Sequence, residues 1–95
     1  MQSGSSAVCI SRPTLSTPAN SMSVSEGNIV FYGNLNGDSQ TWHSAIYSQN
    51  TPTGLPFALQ KCHSKWGQFG VFEHAVSEVP AEYDRAKLSV WRISG

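Results

Sequence analysis

Ile29-Val30-Phe31-Tyr32-Gly33-Asn34-Leu35 runs into Asn36-Gly37-Asp38 and, four residues later, into Trp42-His43-Ser44-Ala45-Ile46-Tyr47. Apolar residues recur here at a spacing of two, the period of a strand and not of a helix. Ile29, Phe31, Gly33 and Leu35 therefore share one side, and Val30 and Tyr32 the other. Bulky residues on both sides mark a central strand, or one covered on both faces. Asn36-Gly37 accepts the positive φ of a tight hairpin, so the chain should reverse there and residues 42–47 should return as the partner strand.

Outward from this hairpin the same period continues. Residues 49–56 hold Asn50, Pro52, Gly54 and Pro56, too many breakers for a ladder, and read as a loop. Alternation resumes over 57–62, with Phe57, Leu59 and Lys61 opposite Ala58, Gln60 and Cys62. Residues 64–68 turn the chain into 69–76, a second strand with apolar residues on both sides. Pro80 with Ala81, Glu82, Tyr83 and Asp84 suits one short helical turn near residues 80–85, since proline is accepted at the first helical position and acids favour a helix start. Residues 88–93 form the last strand. Residues 1–20 are a partly ordered Ser/Thr/Pro-rich N-terminal segment, in which Ala7-Val8-Cys9-Ile10 is a candidate edge strand. Residues 21–95 read as a single β-rich domain. The expected fold is all-β, a small antiparallel barrel or sandwich of five to six strands. An α+β arrangement is the alternative, and would need residues 79–89 to be helical.

Length and charge narrow the function classes. A chain of 95 residues has room for one core. Charged residues are 13% of it, about half the ~25% usual for globular domains, and hydroxyls and amides supply the polarity instead. The formal net charge is zero, so no long-range field draws the molecule to nucleic acid or anionic membrane. The N-terminus lacks the basic and apolar regions of a signal peptide, and no apolar run of the ~18 residues a membrane span needs is present. These features favour a soluble cytoplasmic product or one exported without a Sec signal. Cys9 and Cys62 could form one bridge or remain two buried thiols, and their apolar surroundings favour thiols.

Chemistry-bearing residues do not form a known motif. His43, His63 and His74 lie on or beside predicted strands, but Cys62 and His63 are adjacent and so point to opposite faces. No C-x-x-C or H-x-x-x-H element is present, so no metal site and no cofactor is expected. A thiol nucleophile at Cys62 would lack a glycine-rich elbow or a helix start to lower its pKa. An acid–base enzyme would use His74 and Glu73 with His43 or Cys62 assisting; Glu73 otherwise belongs on the solvent face of its strand, paired across the sheet with a His or Lys. No phosphate-cradling or dinucleotide-binding loop occurs.

Aromatic residues offer the stronger site. Tyr32, Trp42, Tyr47, Trp66, Phe69, Phe72, Tyr83 and Trp91 exceed what so small a core can bury. Alternation assigns Trp42 and Trp91 to the core, whereas Trp66 sits in the turn-like His63-Ser64-Lys65-Trp66-Gly67-Gln68. The expected binding surface is therefore Trp66 with Lys65, His63, Tyr47 and Phe69, engaging a protein or glycan partner without catalysis. Lys61, Lys65 and Trp66, with Arg85, Lys87 and Arg92, also suit a single-stranded nucleic-acid barrel, a reading that zero net charge weakens. Surplus aromatics and low charge are compatible with a homo-oligomer that buries them. Finally, Pro13 through Gly27, ending Ser23-Val24-Ser25-Glu26-Gly27-Asn28 before an apolar strand, resembles the entry to an immunoglobulin-like sandwich, with Trp42 where such folds hold a core tryptophan. The inter-sheet cysteines of that family are missing from the expected strands.

Overall fold

The structure, a computed structural model, describes residues 6–34, 43–48, 54–65, 70–80 and 83–94. Among these residues six strands form one antiparallel sheet: β1 Ser6–Ser11, β2 Ile29–Asn34, β3 His43–Tyr47, β4 Lys61–Lys65, β5 Val71–Ala75 and β6 Tyr83–Ser94. Their order across the sheet is β1-β6-β2-β3-β4-β5. Strands β2 to β5 are neighbours in chain order, β6 returns to pair with β2, and β1 adds outside β6. The sheet is all-β as the alternation implies, but open. β1 and β5 are its edges, so the expected barrel closure does not occur, and among the described residues no second sheet makes a sandwich of it. Among the described residues there is no α-helix, which removes the α+β alternative, and no helix long and apolar enough to cross a membrane.

Irregular chain takes the place of the second sheet. The connection from β1 to β2 and the segment before β4 bond to each other through Ala19 N–H to Leu55 C=O (3.0 Å), Phe57 N–H to Thr17 C=O (2.8 Å) and Ala58 N–H to Leu15 C=O (3.0 Å). The segment after β5 joins them through Val76 N–H to Gln60 C=O (2.8 Å). Together they cover one face of the sheet. Met22, Val24, Phe57 and Val76 from this layer pack with Val30, Tyr32, Ala45, Tyr47, Cys62, Leu88 and Val90 from the strands. The N-terminal segment thus belongs to the fold: β1 is the expected edge strand, and Ala19 is wholly buried.

Three local expectations are corrected. Residues 57–62 do not form one strand. Phe57–Leu59 is a 3-10 turn, with Leu59 N–H bonded to Pro56 C=O and Gln60 N–H to Phe57 C=O, both at 3.0 Å. A repeat of three buries Phe57 and Gln60 together and leaves Leu59 53% exposed, where a repeat of two would have placed Phe57 and Leu59 on one side. Of the helical turn near 80–85 the described residues keep the bond from Tyr83 N–H to Pro80 C=O (3.1 Å), and Tyr83 already opens β6; residues 81 and 82 lie outside the described residues. The second two-sided strand, expected over 69–76, is formed over Val71–Ala75 as β5, but at the sheet edge, with Val71 and Phe72 both exposed and not covered on two faces.

β6 reaches β2 through an irregularity that a glycine permits. Pairing jumps from Tyr32↔Leu88 to Gly33↔Asp84. A Cβ on Gly33 would stand 2.8 Å from Lys87 Cβ and 3.4 Å from its carbonyl oxygen, so the extra residues of β6 lie against bare backbone.

Candidate functional site: the open face of the sheet

Side chains of paired residues in an antiparallel ladder point the same way, so the register sorts the sheet into two faces. One row crosses all six strands on the uncovered face: Cys9, Trp91, Ile29, Ile46, His63 and Glu73. Beside it run Ser89, Phe31 and Ser44 on one flank and Ala7 with Ile93 on the other. The face is mainly apolar from β1 to β3, with the exposed Lys87 of β6 at the Gly33 end beside Phe31, and polar over β4 and β5, where Lys61, His63, Lys65 and Glu73 are all exposed. Ala7, Ile29, Phe31, Ser44 and Trp91 line a shallow hollow of about 410 Å³ in the apolar part, within the size range of binding clefts. Ile46 (45% exposed) and Ile93 (50%) stand proud of the same face. Trp91 Nε1–H donates to Ser89 Oγ at 2.8 Å. The indole's sole donor is thereby satisfied within the chain, and its ring is left for apolar contact.

Trp91 is therefore half-buried on the open face and not in the core where alternation assigned it. The expected aromatic surface is redistributed in other ways too. Tyr47 is wholly buried, with its hydroxyl donating to Gln60 Oε1 at 3.0 Å and its ring 6.4 Å from that of Phe57, so it cannot form part of an exposed patch. His63 and Lys65 do face outward, at the polar end. Trp66 and Phe69, like Trp42 and the Asn36-Gly37-Asp38 turn, lie outside the described residues; β2 and β3 pair antiparallel as that turn implies. What the sequence reading missed is Ile29, Phe31, Ile46, Trp91 and Ile93. The signal for Ile29 and Phe31 was present in the two-sided bulk of 29–32.

The acid–base alternative separates onto two faces. Glu73 pairs with His63 on the open face, where the carboxylate lies 3.9 Å from His63 Nε2 and accepts from Ser48 Oγ at 3.3 Å. This is the exposed cross-strand pair expected for an ordinary strand glutamate, of a kind worth at most about 1 kcal/mol. His74 pairs with Cys62 on the covered face. His74 and Glu73 therefore do not converge.

His43 and His74 do converge, on Ser64. His43 Nε2 is 3.0 Å and His74 Nε2 2.6 Å from Ser64 Oγ, and His74 Nδ1 is 2.7 Å from the carbonyl oxygen of Ala75. A carbonyl only accepts, so His74 carries a proton on Nδ1; with neutral imidazoles Ser64 donates to His74 and accepts from His43. The parts are those of a nucleophile–base pair, yet Ser64 is 2% exposed, closed over by its partners. Burial, and secondarily the neighbouring His74, holds His43 below the usual imidazole range. Cys62 lies 3.8 Å from both His74 ring nitrogens. Burial pushes this thiol up to about 11, so it is protonated and weakly nucleophilic near neutral pH. Cys9 and Cys62 are both free thiols. Among the described residues no three His, Cys, Asp or Glu side chains are placed to hold a metal ion, and no buried side-chain nitrogen or oxygen lacks a hydrogen-bond partner.

The chain matches no protein-family model, no curated protein and no solved structure.

Proposed function

We propose that this chain is a non-enzymatic interaction module that engages a protein partner through the apolar part of its open sheet face. One observation carries the reading. The covered face has its own layer of loops, whereas the opposite face presents Trp91, Ile29, Ile46, Phe31 and Ile93 around a hollow with no layer of the described chain over it. A contiguous exposed apolar patch of a few hundred Å² is often functional, and marks association surfaces when rimmed by polar residues. Each Å² of it covered contributes about 25 cal/mol.

The chemistry of the face favours a protein over a glycan. Sugars are held by several side-chain hydrogen bonds beneath the stacking ring. Here Ser44 is, among the described residues, the one polar residue lining the hollow, and the nearby Ser89 hydroxyl already accepts from Trp91. An apolar side chain of a partner suits such a lining better. A nucleic-acid strand would need a cationic track, whereas Lys61 and Lys65 stand at the opposite end from the aromatics of the face and Lys87 is a single cation beside Phe31.

Affinity capture with the wild-type chain, Trp91→Ala, Ile46→Lys and the control Leu55→Lys tests the assignment. Leu55 is 53% exposed but sits in the loop layer. Captured partners should be lost from both face variants and retained by the control. The same partners on all four chains would show that the face does not bind them.

A further inference from the structure

We infer that the occupant of this face is a second copy of the same chain, packed sheet against sheet about a two-fold axis. The inference rests on the interaction reading above and specifies the partner.

Three properties of the face make it complementary to itself. First, the chain has zero formal net charge, so two copies meet no net repulsion. The apolar portion on β1, β6, β2 and β3 places no charged residue in its row of Cys9, Trp91, Ile29 and Ile46; Lys87 stands at the Gly33 end of β6 and Lys61, Lys65 and Glu73 at the β4–β5 end, so that charges border the row as a solvated rim. Second, a two-fold interface requires one patch to carry both halves of the fit. This one does: the hollow lined by Ala7, Ile29, Phe31, Ser44 and Trp91 is flanked by the projecting Ile46 on β3 and Ile93 on β6. Third, the area is adequate. Four strands about 4.8 Å apart and about 17 Å long present about 330 Å² of projected face per copy, and side-chain relief brings the total buried by two copies to about 1,000 Å². That is near the lower bound of specific interfaces, so the dimer should be reversible.

The result is a sandwich assembled between chains. Two sheets stack about 10 Å apart with inner side chains interdigitated. Each copy would then supply the second cover that the two-sided strand β2 calls for.

Sedimentation of the purified wild-type chain from low-micromolar to sub-millimolar concentration decides the matter. The expected mass rises with concentration towards twice the 10.3 kDa of one chain. Ile46→Lys and Ile93→Lys, both at exposed positions, should remain at the monomer mass with an unchanged strand signal in circular dichroism, while Leu55→Lys dimerises like the wild type. Two face variants are used so that loss of fold in one leaves the other to decide. A wild-type chain that stays monomeric throughout overturns the dimer, and if capture of another protein still depends on Trp91 and Ile46 the interaction reading survives it. A dimer that both face variants retain overturns the face as its interface and points to pairing through the β1 or β5 edge.

Discussion

Tyr32 shows how much a single hydroxyl organises on the covered face. Its ring is wholly buried and its O–H donates to the Val76 carbonyl at 2.6 Å, tying β2 to the turn after β5. Burial, helped by the adjacent Cys62, raises this phenol well above the usual range, so it remains a donor at any ordinary pH. Tyr32→Phe should lower unfolding stability by about 1–3 kcal/mol in urea titration, because a buried carbonyl loses its donor; a change under a few tenths would mean that another group takes over. His43 sets a pH dependence. It packs 5.6 Å from the Tyr32 ring and 5.0 Å from the Tyr83 ring, with Ser64 and His74 on its polar side. Its folded-state pKa is depressed, so between that value and the ordinary one near 6.5 the unfolded chain binds more protons. This contribution to stability is complete above about pH 6.5 and is lost as the pH falls through that value towards the folded one. The urea midpoint should therefore drop between pH 7.5 and pH 5, and His43→Gln should flatten the drop; an equal slope in the variant would assign the effect elsewhere.

At the level of elements, the strands were legible and the cover was not. Period-two alternation located β2, β3 and the end of β6 because each has one face against the core, and the residues of β1 stood out as the one pairing segment among prolines. The loop layer has no such signature. Phe57 and Leu59 fit a strand as well as they fit a 3-10 turn, and only the backbone bonds from Pro56 and Phe57 distinguish the two. The distinction is measurable. Phe57→Ala should cost about 3–5 kcal/mol by leaving a cavity beside Tyr47, whereas Leu59→Ala should lie within about 0.5 kcal/mol of wild type. Comparable losses at both positions would restore the strand reading. The helical turn near 80–85 does not extend past Tyr83 for a related reason: Pro80 suits a helix start, but pairing of Tyr83 and Asp84 with Asn34 and Gly33 draws those two residues into β6. Ladder bonds to an existing strand outweigh a weak local preference.

For the whole molecule, the sequence by itself determined an all-β antiparallel architecture, a chain without net charge, and a central strand with bulky residues on both sides. Each of these follows from local quantities: residue type, period and count. It also carried the site's residues without identifying them, since alternation says which side chains share a face and is silent on which face the rest of the chain will cover. That choice belongs to the tertiary structure. The loops before β2 and β4 and after β5 bond to one another over Val30, Tyr32 and Tyr47, which buries those residues, and they leave Ile29, Phe31 and Trp91 on the opposite side. The same long-range pairing put His43 and His74 on one serine and sent Glu73 to the other face. Contacts between residues distant in sequence depend on which strands become neighbours, and that is settled only when the sheet has formed.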